Sequence, residues 1–475
     1  MDTAVAKTNR MGNILVKTLS FGVLVFLARF AYFITITGNT YDSRAVTDAI
    51  NTAAAVRLRD FYSSLFHDLI AEGFLSLNSR TLCIGTLTGE DVATLREIGV
   101  ADSIGIAAKS SPPLVRYGHG SRIPFKDEAF DFIFSGNMDL ERTDRPTEFA
   151  KEVSRTLNPG GFFVVLTSGT DLYSLNSLLA LFNSCRAIRT SEIDGIDFPS
   201  QNIREVVLMK DNSIPDDYVD GRRKKASKCS APGFIHELIR KAEPLIAEEP
   251  LKPWVIFRRN LKNITYLSSI VDISFKHKYI YIDVGSRNYA SSIGNWFKKH
   301  YPKQNKPFQI YAIEADSTFH DEYRTKKGVT LLPYAAWIRN ETLFFEITRE
   351  PNKNMDRSRG GMGRIQTVQS SLEFTGKADK IQGFDFAKWL KGLGLRNDYV
   401  VMKMDVEGTE FHLIPRMIES GVMCLVDELF LECHYSRWQR CCPGVRSPKY
   451  QKTYDQCLAL FSSLRERGVF VHQWW

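Results

Sequence analysis

The chain has 475 residues, 44% of them hydrophobic and 24% charged, which is ordinary globular usage and excludes a mainly disordered chain, a collagen-like fibre and a multi-span transporter. The 62 Lys and Arg against 54 Asp and Glu leave a net +8, too thin an excess over this length to argue for nucleic acid. Eight cysteines are too few for a scaffold built on disulfides, and the length allows two separate cores.

Residues 1–17 read as a cytosolic tail and 18–37 as a membrane anchor, TLSFGVLVFLARFAYFITIT. Twenty helical residues reach roughly 30 Å, enough for a hydrocarbon core. Arg29 costs about 3 kcal/mol at the centre of a span, and the Leu, Ile, Phe and Val residues around it offset that. Lys7, Arg10 and Lys17 precede the span, whereas Arg44 follows it beside Asp42 and Asp48. The positive-inside rule then sends the bulk of the chain to the lumen. A cleaved signal peptide and an organelle transit peptide are the competing readings. A lumenal body would expose two sequons, Asn263-Ile-Thr265 and Asn340-Glu-Thr342.

Residues 38–78 have helical periodicity and read as a stem. From 79 to 215, short β-rich runs alternate with helical ones, the pattern of a parallel sheet with crossover helices. Strands are expected at 81–85, 103–108, 130–135, 162–168 and 206–210. Residues 216–262 form a linker with a helix at about 233–248. Its basic GRRKKASK run reads as a solvated loop rather than a nuclear signal.

A second α/β unit spans 263–475, with strands expected at 279–285, 308–315, 330–338, 399–406, 425–434 and 468–473. The fold class is therefore α/β, two tandem doubly wound Rossmann-like sheets after the anchor. Ligands bind such sheets at the carboxyl ends of the strands, and there the informative residues fall. Asp283-Val-Gly285 ends the first strand, where glycine lets a nucleoside ligand approach the backbone. Glu314 ends the second, placed to accept hydrogen bonds from ribose hydroxyls. Helix capping is the plainer alternative for each acid. No G-x-G-x-x-G dinucleotide fingerprint follows Gly285. No C-x-x-C or H-x-x-x-H spacing points to zinc, and no metal site is expected. Cys424 and Cys433 read as buried thiols. Cys441 or Cys442 is placed to bridge to Cys457 or Cys229 in an oxidising lumen.

Lys403-Met-Asp405-Val-Glu407-Gly408-Thr-Glu410 follows an apolar strand, and KMDVEGTEFHLIPRM resembles the K-x-D-x-E-G-x-E signature of FkbM-type methyltransferases. IDVGSRNY, YAIEADSTFHDEY, YAAWIRNETLFFEI and LFLECH resemble that family's other motifs in order, over about 279–434. The resemblance implies S-adenosylmethionine as cofactor and methyl transfer to an oxygen, often of a sugar. It implies Asp283, Gly285, Glu314 and Glu407 at the cofactor, with Gly408 freeing the turn. Asp405, then His434 and Glu432, are the expected catalytic residues, able to take the acceptor's proton. A core hydrogen bond is the competing role for His434. One departure stands out: Tyr289 replaces the second glycine of the first motif, where its ring could crowd the methionine arm.

Residues 82–91, 122–135 and 152–166 resemble the type-11 methyltransferase domain, but polar ligand positions are missing. Cys83 and Ala107 stand where acids are usual, and Gly120 where an Asp approaches adenine. This unit reads as degenerate and suited to packing, substrate presentation or partner proteins. The expected whole is a single-pass Golgi membrane protein whose second unit methylates a glycan or small hydroxyl acceptor. A non-catalytic scaffold of glycan or cell-wall synthesis is the alternative. A glycosyltransferase is a third reading, weakened by the lack of a clear D-x-D motif.

Overall fold

The computed structural model describes residues 43–474 apart from 87, 138, 195–201, 212–231, 304, 349–361, 367–378 and 440–443. The expected anchor at 18–37, the basic run at 221–228, and Cys229, Cys441 and Cys442 lie outside the described residues. Among the described residues, no helix is long and apolar enough to cross a membrane. The chain divides into Met1–Asp68 and Leu69–Trp475. The described part of the first unit is helical, within a helix that runs Ser43–Ala71.

Both sheets belong to the second unit. The first is built from β1 (Thr81–Ile84), β2 (Ser103–Ala107), β3 (Val115–Tyr117), β4 (Phe130–Ser135), β5 (Leu157–Thr167), β6 (Cys185–Asp194) and β7 (Asn202–Lys210). Their order is β3-β2-β1-β4-β5-β7-β6. All pairs are parallel except those made by β7, which runs against both β5 and β6. β1 and β4 read as near-continuous apolar runs because helices cover both faces of a parallel sheet; Leu82, Phe132, Ile133 and Phe134 are fully buried. The strand at 185–194 and the short one at 115–117 were not expected. CRAIRTSEID is too polar to show a buried run, and β7 alone gives it a partner.

The second sheet has β8 (Tyr279–Val284), β9 (Phe308–Ile313), β10 (Val329–Leu332), β15 (Tyr399–Met404), β16 (Glu428–Leu431) and β17 (Phe470–Gln473). It is parallel throughout, in the order β10-β9-β8-β15-β16-β17. Direction of growth reverses between β8 and β15, which makes their carboxyl ends the switch point of a doubly wound sheet. A small third sheet joins β11 (Ala335–Trp337), β12 (Glu341–Thr348), β13 (Met362–Gln366) and β14 (Asp379–Asp385), in the order β11-β14-β12-β13. The single strand expected at 330–338 is thus two, divided between sheets by a break at Pro333-Tyr334, because proline lacks the N–H that a continuing ladder needs. The helix expected at 233–248 spans only Gly233–Ile239.

Cys433 is not a free thiol but is bonded to Cys457, 24 residues on. Cys424 is disulfide-bonded as well. The bridge arises because the loop after β16 packs against helix Tyr454–Glu466, with Tyr435, Tyr454 and Cys457 buried in one cluster. β-rich surroundings concealed it in the sequence.

Candidate active site

Four neighbouring strands, β9, β8, β15 and β16, are followed directly by Glu314, Gly285, Asp405 and Glu432 respectively. Adjacent strands lie about 4.8 Å apart, so these residues form one row along the sheet edge. They line a cavity of about 380 Å3 together with Val284, Ile313, Glu407, Trp254, Phe257 and Tyr435. That size falls within the roughly 300–1,000 Å3 of small-molecule sites.

At the switch point the two backbones touch. Gly285 has φ +78°, and a Cβ built there would lie 1.8 Å from the Asp405 carbonyl oxygen. Only glycine tolerates both the left-handed conformation and that approach. Glu314 takes the Arg287 N–H at 2.5 Å and the Asp316 N–H at 2.7 Å, which fix its carboxylate at the strand end. Burial lifts its pKa to about 7 against the pull of those two donors.

Asp283 is fully buried and is not among the residues that line the cavity. It accepts from Ser292 Oγ and stands 3.5 Å from Lys403 Nζ, an ion pair without hydrogen-bond geometry. Burial raises the Asp283 pKa, with Lys403 opposing. Lys403, itself buried, also reaches Asp405 Oδ2 at 3.5 Å and the Gly285 carbonyl at 3.4 Å. Burial works against its charge, but Asp283 and Asp405 outweigh it and hold the ammonium above its ordinary pKa. The lysine thus pins the ends of β8 and β15 from below. Tyr289 does not line the cavity. Its ring lies over Gly294, one turn along its own helix, where a Cβ would come 2.8 Å from Cε1. Lys326 and Lys298 cover it at 4.8 and 5.6 Å.

Catalytic candidates converge at the other end. His434 Nε2 faces Asp405 Oδ1 at 3.5 Å, Glu432 Oε1 at 3.7 Å and Glu407 Oε2 at 3.9 Å. Its Nδ1 faces Glu410 Oε1 at 3.2 Å, and the same oxygen takes the His434 backbone N–H at 2.7 Å. Burial disfavours the charged ring, but Glu410, then Glu432 and Glu407, carry its pKa up to about 10. Burial, then Asp405, pushes Glu432 up to about 8. Glu407 has φ +50°, rare for a non-glycine residue. Lys449 Nζ at 2.6 Å and the Tyr450 hydroxyl hold its carboxylate there. The sequence reading gave no role to Lys403, Glu410, Lys449 or Tyr450. The first two stand in the signature itself; the last two lie some forty residues on, with no local signal.

Near the carboxyl edge of the first sheet several described side chains pack inward. Thr86 donates to Asp91 at 2.5 Å and accepts from Gly89 N at 3.1 Å. A Cβ at Gly120 would lie 2.2 Å from the Phe149 ring, and one at Gly105 would lie 2.4 Å from the Thr86 methyl. Cys83 and Ala107 are buried.

A family model described as Methyltransferase domain matches residues 82–165. A second, described as Domain of unknown function (DUF7870), matches 239–343 and 352–475. No curated protein matches the chain significantly. Among solved structures, the chain is similar to an S-adenosylmethionine-dependent methyltransferase from Methanosarcina mazei (16% identity, 30% of this chain and 98% of that one, TM-score 0.25). It is also similar to the 1,6-didemethyltoxoflavin-N1-methyltransferase of Burkholderia thailandensis (15% identity, 33% and 88%, TM-score 0.25). The chain carries a methyltransferase domain, and S-adenosylmethionine is the cofactor of that class.

Proposed function

We propose that the second sheet, not the first, houses an S-adenosylmethionine-dependent O-methyltransferase of the FkbM type. The observation that carries this reading is the row Glu314, Gly285, Asp405, Glu432 along one cavity, with the backbone bare at Gly285. The residues fit a nucleoside donor. Gly285 leaves its backbone open, Glu314 offers carboxylate lone pairs for ribose hydroxyls, and Tyr289 stands clear. When bound, S-adenosylmethionine supplies an electrophilic methyl group on a sulfonium. The chain's part is to hold the acceptor oxygen in line with it. As the carbon–oxygen bond forms, the carbon–sulfur bond breaks and its electron pair stays on sulfur. The acceptor's proton passes to a carboxylate of the Asp405–Glu432 group.

The first sheet serves as a non-catalytic partner of the second. The inward packing of Thr86 and Phe149 supports that role. An accessory sheet of this kind could also present substrate or dock partner proteins. The acceptor is a hydroxyl-bearing small molecule or glycan, and the body of the chain lies in the Golgi lumen behind an N-terminal anchor. The Cys433–Cys457 bond supports an oxidising compartment. Asn263, exposed at the surface, is open to glycosylation.

Calorimetric titration of the full chain with S-adenosylmethionine tests the assignment. One site per chain is expected, weakened by substitution at Glu314 and indifferent to Ala107→Asp. No binding at millimolar donor, or binding unaffected at Glu314, removes it.

A further inference from the structure

The imidazole of His434 poses a charge problem. Both oxygens of Glu410 accept N–H groups, Oε2 from Gly408 at 2.9 Å and Oε1 from His434 N at 2.7 Å. A carboxylate that only accepts requires Nδ1 of His434 to be the donor in their contact. The other ring nitrogen, Nε2, faces three carboxylates. His434 is 4% exposed, and at 3.5, 3.7 and 3.9 Å none of its three neighbours is close enough for a charge-assisted hydrogen bond, which runs at about 2.7–2.9 Å. The Glu432 carboxylate has no hydrogen bond of its own among the described residues, and Asp405 Oδ1 is free of Lys403, which takes Oδ2.

Such spacing is that of donors around an ion. Two donors at about 2.1 Å from a metal stand roughly 3.0–3.4 Å apart when adjacent and about 4.2 Å when opposite. Ligand atoms of Asp405, Glu407 and His434 all lie within 4.8 Å of one another, and an ion there would share Glu407 with Lys449 and Tyr450. Glu410 behind the ring matches the outer carboxylate that orients a ligating histidine and fixes its tautomer. We propose that Asp405, Glu407, Glu432 and His434 bind one divalent transition cation, of the Mn2+ or Zn2+ kind, at the acceptor end of the cavity. Mixed imidazole and carboxylate donors suit such ions better than Mg2+. The cation would hold the acceptor's oxygen beside the donor and make its hydroxyl more acidic. That role rests on the proposed transferase reading; the binding itself does not.

The test is titration of the full chain with MnCl2, read from loss of the free-ion electron paramagnetic resonance signal, with ZnCl2 as competitor. One Mn2+ per chain is expected, displaced by Zn2+ and accompanied by a higher melting temperature. Asp405→Asn and His434→Gln each weaken binding by about 100-fold or more, and Glu410→Gln by about 10–100-fold. The exposed Asp321→Asn leaves it unchanged. Absence of Mn2+ and Zn2+ binding in a chain that melts cooperatively overturns the inference. So does binding that survives both ligand variants. Should one variant fail to fold, Glu432→Gln takes its place. S-adenosylmethionine titrated into the same sample separates the two claims: donor binding without cation binding refutes only the cation, and the reverse refutes only the transferase.

Discussion

Glu314 shows how one residue couples burial to recognition. Its folded pKa of about 7 stands above the ordinary 4.5, so the fold keeps the proton longer than the unfolded chain does. This group's contribution to stability therefore falls as pH climbs from about 4.5 through about 7. Ligand binding has the opposite sign, because ribose hydroxyls need the ionised form as acceptor. Affinity for S-adenosylmethionine should rise about tenfold between pH 6 and 8, and Glu314→Gln should flatten the profile. A flat profile in the unaltered chain would show that Glu314 does not meet the ribose. Gly285 and Glu314 were readable from the sequence because each ends an apolar strand. Asp283 was placed at the right strand end but on the wrong side of it. A one-letter pattern does not say whether a strand-end acid faces a ligand or, as here, a lysine opposite it on the neighbouring strand.

At the scale of elements, strand existence was legible wherever both faces were covered. β1, β4, β8, β15 and β16 are apolar runs, since helices pack on either side. Of the antiparallel strands, β7 was legible at 206–210 but β6 is polar, and β12 to β14 pair only with one another and β11. Such strands are held by pairing with their neighbours rather than by burial of both faces, which periodicity does not register. The loop after β16 is the element on which His434 depends, and the Cys433–Cys457 bond ties it to the last helix. Closing a loop of this length stabilises a fold by about 3 kcal/mol. Cys457→Ser should lower the urea midpoint accordingly and weaken donor binding with it. An unchanged midpoint would mean the bond contributes nothing to the fold.

Across the whole molecule, the two sheets are joined by a buried polar seam. The Tyr173 hydroxyl donates to Asp427 at 2.5 Å, and Lys276 reaches the same oxygen at 3.2 Å with its ammonium 4.5 Å from the Tyr173 ring centre. Asp427 in turn accepts Val400 N at 2.8 Å, on the strand that ends in the signature. The first sheet thereby braces the second. Placement in the cell is testable at the same scale. If the body is lumenal, endoglycosidase should shift the mobility of the full chain, and Asn263→Gln should abolish part of that shift. An insensitive chain made in a glycosylating host would remove the lumenal placement.

The cystine beside His434 has one further consequence. Cys433 sits between Glu432 and His434 in the chain, so on the proposed reading the thiol poise of the compartment would be a condition for activity. In reducing surroundings these two groups would sit on a slack tether, and oxidation would draw it tight. The same gene product would then stay idle where it is synthesised and acquire its working geometry only where it is delivered.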